Sequence, residues 1–250
     1  MRYSLGSFMT ARYGSASSSL LTGIVGYWKL DESAGPTVAD SSGNGNTGTE
    51  QGDVGTKVTY NLSGIVNTSV QTNSATVGFS RIDMGDPVSL RLGNTGSVAL
   101  WVNVQTGSSG LAGFVSKMNF NTDRNGYGVG ISSAHPYFEL AGAAGVDFLT
   151  ASDTTMTVDG TVWYHIVFTW DGSTIKAYTN GTIDSHTTAQ TQTATSTGIN
   201  FVFGRHWNGT DYANFGLQGK LDEIGVWSRA ITAGEVTTLY NGGSGKSYPF

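Results

Sequence analysis

The stretch Asp40-Ser41-Ser42-Gly43-Asn44-Gly45-Asn46 places a carboxylate and two side-chain amides in one short loop punctuated by glycine. Ca²⁺ takes about six to eight oxygens of this kind, from carboxylates, amides, main-chain carbonyls and water. Gly43 and Gly45 let the backbone turn sharply enough to aim carbonyls inward. Asp40, Asn44 and Asn46 would supply about half of such a shell, leaving the rest to another segment. The same residues also suit Asx-turns, in which Asp and Asn accept from their own backbone. One reading has the loop pinned by an ion, the other has it closing on itself.

A second set suits a sugar. Arg205, His206, Trp207, Asn208, Asp211 and Tyr212 crowd into one segment, and Asn119 to Tyr127 forms a similar one around Phe120, Asp123 and Arg124. Aromatic faces stack on the apolar faces of sugar rings, while Asn, Asp and Arg match hydroxyls. The plain alternative is that Trp207 and Tyr212 plug the end of a folded core. The four histidines, at 135, 165, 186 and 206, show no i+2 or i+4 pairing, so the sequence carries no preformed histidine metal motif. The five glutamates, at 32, 50, 139, 223 and 235, and the absence of a Gly-x-Ser-x-Gly elbow give no catalytic signature.

These residues must be positioned by strands. Only 12% of the chain is charged and 36 residues are glycine, which starves helices and favours turns. Hydrophobic residues make up 38%, enough for a sizeable core. From Ile24 onward, short alternating or β-branched runs are separated by Gly, Asn and Asp, the pattern of an all-β sandwich. The clearest is Val162–Trp170, Asp171-Gly172, Thr174–Thr179, Asn180-Gly181, Thr182–Ser185, which predicts a three-stranded meander because Asp-Gly and Asn-Gly supply the positive φ angles of tight hairpins. Further strands are expected at 24–30, 97–105, 112–117, 127–133, 136–141, 199–205 and 217–228, with weaker ones at 47–51, 65–72 and 79–84. Thr232 and Glu235 have the spacing of a capping box, predicting one short C-terminal helix ended by Gly242-Gly243. Trp28, Trp101, Trp163, Trp170 and Trp227 fall in strand patterns and are expected in the core.

A net charge of −5 without runs of Lys or Arg speaks against nucleic acid, and the lack of cysteine removes disulfides and thiolate metal sites. No window is apolar enough to insert in a membrane, and the N-terminus shows no recognisable signal peptide. Residues 1–22, rich in Ser, Gly and Ala, are expected to be an arm, flexible or ordered against a partner.

The segments GYWKLDESAGPTVADSSGNGNTGT and GKLDEIGVWSRAITAGEVTTLY, with SVALWVNV, GFVSK, YGVGI, WYHIVFTWDGSTIKAYTNG and INFVFGRH between them in order, resemble the LamG-like, concanavalin A-type jelly-roll domains over about 23–241. The resemblance implies two antiparallel sheets packed face to face. It also implies a non-catalytic adhesion or carbohydrate-binding module, and a first and last strand lying together so that Asp222-Glu223 approaches the Asp40 loop. Strand alternation puts those two carboxylates on opposite faces, with Asp222, Ile224 and Val226 on one and Leu221, Glu223, Gly225 and Trp227 on the other. Only one of the two can then point at a shared ion, and of Asp222 and Glu223, both of which alternation leaves open, Asp222 is the favoured partner of Asp40, Asn44 and Asn46 around a structural Ca²⁺.

Glucanases and some lyases share this architecture, but their Glu-x-Asp-x-x-Glu run is absent. Pro136–Gly142 has a passing likeness to a Tyr-Phe-Lys-Ala-Gly lyase signature without its Lys. A polysaccharide-active enzyme, the alternative, would need a carboxylate pair or a Tyr/His/Arg cluster in one groove. A single module with a polar arm and a short tail, 242–250, is similar to small phage structural proteins. The expectation is a virion-surface or adhesion protein, or a purely structural decoration protein, that forms homo-oligomers or docks to a virion scaffold through its arm and meets cell-surface glycan outside the cell.

Overall fold

The computed structural model describes residues 19–52, 58–73, 80–108, 110–120, 124–194, 196–207 and 215–250. Two eight-stranded antiparallel sheets pack face to face. In sheet A the order is β14 (Thr182–Ala189), β13 (Thr174–Thr179), β12 (Tyr164–Trp170), β7 (Gly96–Val104), β16 (Gly219–Trp227), β5 (Thr68–Thr72) and β4 (Thr59–Ser63), with β1 (Ile24–Trp28) also pairing with β16. Sheet B runs β11 (Gly145–Thr150), β10 (His135–Gly142), β9 (Asn125–Ser132), β8 (Leu111–Asn119), β15 (Val202–Phe203), β6 (Arg81–Asp83), β3 (Gly48–Gln51) and β2 (Thr37–Val38). The first and last long strands lie side by side, Tyr27 opposite Gly225 and Trp28 opposite Ile224.

Alternation builds the core. Val98, Leu100, Val102 and Val104 of β7 and Ile166, Phe168 and Trp170 of β12 face Ala112, Phe114, Tyr127, Val129, Phe138 and Leu140 across the gap. The expected meander is present as β12, β13 and β14, and Asn180 and Gly181 both adopt positive φ in its second turn. Trp28, Trp101, Trp170 and Trp227 are buried, whereas Trp163 precedes β12 and is only half-buried. The strands β2, β4 and β11 carry no strong alternation in sequence, and sheet pairing rather than propensity makes them strands. The stretch expected as a strand at 199–205 shortens to Val202–Phe203.

Sheet A is covered on its outer side too, which is why β7 is buried along its whole length. The helix α1 (Ala233–Tyr240) has the expected capping box, but Asn241, in the left-handed region, caps its C-terminus ahead of Gly242. Val236 and Leu239 of α1 pack with Leu20, Tyr27, Trp227 and Ile231. The tail folds back as well. Tyr248 stacks on Tyr27 at 5.3 Å and Phe250 meets the same ring edge-on at 5.2 Å. Residues 19–22, the described end of the expected arm, also lie on this face. The Trp227 Nε1–H donates to the Leu20 carbonyl at 2.7 Å, and Arg229 donates to the carbonyls of Ser19 and Thr22.

Candidate functional site

The described parts of the two segments marked for sugar contact come together on the outer face of sheet B. Asn119 bridges to Trp207, and the Phe120 N–H donates to the Trp207 carbonyl at 2.7 Å. Beneath them lies a floor of glycines, Gly113 on β8 and Gly128 and Gly130 on β9. A Cβ at Gly113 or Gly128 would come within 2.8 or 2.9 Å of the His206 ring, and one at Gly130 within 2.9 Å of the Tyr137 ring, so the missing side chains are what admit these rings. Tyr137 and His206 Nε2 share a hydrogen bond of 2.6 Å, and Phe120 stacks on His206 at 4.8 Å. Arg124 lies over the Phe120 ring and pairs with Glu139 at 2.9 Å. Phe148, paired with Glu139 in register, is 43% exposed and stacks on Tyr137 at 5.4 Å.

Burial sorts the predicted sugar ligands. Arg205 and His206 are fully buried, which corrects the expectation that they meet a ligand directly. Arg205 donates to the carbonyls of Ser80 and Asn73, and burial, with Arg81 nearby, pushes its guanidinium down to about 10. Burial, with Arg124 nearby, lowers the His206 imidazole to about 3, so it is neutral. Trp207 is half-buried at the edge of a cavity of about 230 Å³ that it lines with Gly198, Ile199 and Asn200. Asn208, Asp211 and Tyr212 lie outside the described residues. Sequence reasoning missed Phe148 and gave Tyr137 and Glu139 no role in binding. The Tyr137-x-Glu139-x-Ala141 alternation carried that signal, since it sets these residues opposite the core pair Phe138 and Leu140.

The Asp40 loop closes on itself. Asp40 Oδ1 accepts from the N–H groups of Tyr27 and Ser42 at 3.0 and 2.9 Å, and Oδ2 from that of Asn46 at 2.9 Å. The Asn44 amide donates to the Ile24 carbonyl, and the Asn46 amide to that of Val25. Asn46 Oδ1 accepts from the Ser89 hydroxyl at 2.8 Å. Asp40 and Asn46 thus use their oxygens to tie the loop to β1 and Ser89, the Asx-turn arrangement, and these contacts close the loop by themselves.

Asp222 keeps other company. Its Oδ2 accepts from the N–H groups of Ile65 and Val66 at 2.7 and 3.0 Å, an approach that Gly64 permits because a Cβ there would stand 2.6 Å from that oxygen. Alternation fails at this point of β16. The register against β7 shifts between Asp222 and Gly225, and Glu223 sits at φ 48°. Leu221, Ile224 and Val226 face the core while Trp227 faces the outer layer, so this bulge turns Asp222 and Glu223 to the same outer side. The expectation that they point apart is corrected. Tyr27 donates its hydroxyl to Glu223 Oε2 and lies against the Lys246 carbonyl. Asp222 Oδ1 and Glu223 Oε1 are buried without a hydrogen-bond partner. Burial drives both carboxyls well above their usual range, and each is further raised by a neighbouring carboxylate.

Among solved structures the chain is similar to the binding domain of Paraclostridial Mosquitocidal Protein 1, at 16% identity and TM-score 0.66, over 89% of this chain and 52% of that one. It is also similar to domain 4 of AbnA, an extracellular arabinanase from Geobacillus stearothermophilus in complex with arabinotriose, at 19% identity and TM-score 0.64, over 87% and 98%. The receptor binding domain of botulinum neurotoxin mosaic serotype C/D follows at 15% and 0.65, over 90% and 52%. The chain thus spans about half the length of the toxin domains it matches. No curated protein sequence matches it. The profile of the concanavalin A-like lectin/glucanases superfamily matches residues 67–237, from β5 into α1. Two sheets packed over alternating strands, closed by a last strand beside the first, are the fold these domains share, and this chain belongs to that superfamily.

Proposed function

We propose that the protein is a non-catalytic recognition module whose glycan-binding face is the outer side of sheet B. The carrying observation is the meeting of Asn119 and Phe120 with Trp207, which groups Trp207 and the Arg124–Glu139 pair with the exposed Phe148 ring. Rings at the surface offer stacking, and a carboxylate paired with a guanidinium offers acceptors and donors in fixed positions. Burial argues against catalysis here. Tyr137 and His206 form the Tyr/His pair a lyase would want, but both rings are sealed, burial raises the phenol, and the neutral imidazole is a poor acid. The Asp222-Glu223 pair is likewise closed under the tail. Domains of this fold include one solved with arabinotriose, which makes neutral oligosaccharides the first probes. Titration calorimetry with arabinotriose and a panel of neutral and acidic oligosaccharides should find a ligand that Phe148→Ala and Trp207→Ala weaken about 5–10-fold, the loss of roughly 1–1.4 kcal/mol of stacking. A panel without binding, or variants that bind as the parent does, would overturn the assignment.

The module's proposed place is a virion surface or the outside of a cell. This rests on the shared fold with a domain of an extracellular arabinanase and on the polar composition of segment 1–18, which would dock to a scaffold or to sister subunits; light scattering should show an oligomer. We place the structural Ca²⁺ at Asp222 and Glu223 instead of the Asp40 loop. Asp222 Oδ1 and Glu223 Oε1, buried and without a hydrogen-bond partner, are the oxygens that such an ion would take at the junction of first and last strands.

A further inference from the structure

Among the described residues, one place brings three metal-ligating side chains together: Asp153, Asp184 and His186, whose ligand atoms all lie within 4.8 Å of one another. Asp184 and His186 are on β14, and Asp153 is on the turn after β11, so the group joins the edge of sheet A to that of sheet B. His186 Nδ1 stands 3.3 Å from Asp184 Oδ1 and 3.6 Å from Asp153 Oδ1. Zinc bonds of about 2.0–2.1 Å in a tetrahedron separate neighbouring ligands by about 3.3–3.4 Å. The imidazole thus already stands at nearly that separation from both carboxylates.

A separate feature of the same edge points to a ligand. A cavity of about 280 Å³ is lined by Asp153, Asp184, Thr154, Thr179 and Asn180. Thr179 is only 8% exposed and its Oγ1 has no hydrogen-bond partner. It pairs in register with Thr182, which places it on the Asp184 side of the hairpin. A buried hydroxyl left without a partner costs free energy that a bound water or ligand recovers. Asp184 is fixed beside it, each of its oxygens accepting one N–H, from Asp153 and His186 at 2.9 Å, and Asp153 accepts from the Ser185 N–H and hydroxyl. Each carboxylate oxygen keeps a further lone pair for an ion, and the His186 and Asp153 side chains, 62% and 44% exposed, can adjust.

We propose that Asp153, Asp184 and His186 form a site for a first-row divalent cation of the zinc class. One imidazole and two carboxylates suit a borderline ion better than Ca²⁺, which prefers oxygen alone. The ion displaces from Nδ1 the Ser152 and Ser185 hydroxyls, which stand 2.8 and 3.1 Å from it, and a water completes the shell. Bound there, it clasps the two sheets at an edge where their main chains do not pair. The site is independent of the proposed glycan face and of the Asp222-Glu223 pair.

The test is titration of the metal-stripped full chain with Zn²⁺ by calorimetry, with Co²⁺ absorption reporting the geometry. Expected are one ion per chain, visible bands of a four-coordinate ion and a higher Tm with zinc. His186→Ala should weaken binding about tenfold or more and abolish the zinc-dependent rise in Tm. Because this side chain is exposed, the variant's Tm without metal should match the parent's, and Asp153→Ala provides a second variant at an exposed position. No Zn²⁺ binding by the parent, or equal binding by both variants, overturns the site.

Discussion

At the residue scale, the central fact is that Asp222 and Glu223 are neighbours in sequence and in charge and yet face the same way. Left-handed backbone at Glu223 is the cause, and the Tyr27 hydroxyl fixes the outcome. If the pair holds Ca²⁺, thermal unfolding should show a Tm several degrees higher in Ca²⁺ than in excess EGTA, since an ion that binds only the folded chain adds about RT ln(1 + [L]/Kd). Glu223→Gln should abolish that difference, while Asp40→Asn should leave it in place. An unchanged Tm in the parent protein, or a difference that Asp40→Asn removes, would return the ion to the loop or dismiss it.

At the scale of elements, α1 shows how a local signal is reinforced by tertiary contacts. Thr232 and Glu235 cap the helix reciprocally, as their spacing implies, but Arg229 adds a two-pronged pair to the same carboxylate at 2.6 and 2.9 Å. Led by Arg229, with a backbone N–H of Thr232 assisting, these contacts lower the Glu235 carboxyl to about 2 against the opposing effect of burial. A depressed folded-state value means the stabilisation is fully present above the unfolded value of about 4.3 and is lost as pH falls toward 2. Glu235→Gln should cost about 1–2 kcal/mol at pH 7 in urea unfolding, and the gap from the parent should shrink steadily below pH 4. A gap independent of pH would mean that the helix cap, not the charge, carries the effect.

At the scale of the whole molecule, the chain ends close the structure. Tyr248 and Phe250 shield Tyr27 and, through it, the Asp222-Glu223 pair, and Leu20 fills the layer beside Trp227. Deleting residues 246–250 should lower stability by about 2–3 kcal/mol, the worth of two partly buried aromatic side chains. Urea unfolding measures this, and a loss below about 0.5 kcal/mol would show the tail to be a passive extension.

Period-two alternation, Asn-Gly and Asp-Gly turns and a capping box were enough to read the sandwich, its meander and its helix from the sequence, because these depend on nearest neighbours. The local chemistry of the two sugar-marked loops was also legible. Residue order could not say that these loops would lie side by side, that Arg205 and His206 would be swallowed while Phe148 stayed outside, or that Asp40 would be used up by backbone N–H groups. Nor could it reveal a bulge that overrides alternation at Glu223, or that Asp153 would come to meet Asp184 and His186 from the other sheet. Each of these is settled by long-range pairing and burial, and burial decides whether a polar side chain is a ligand or a strut.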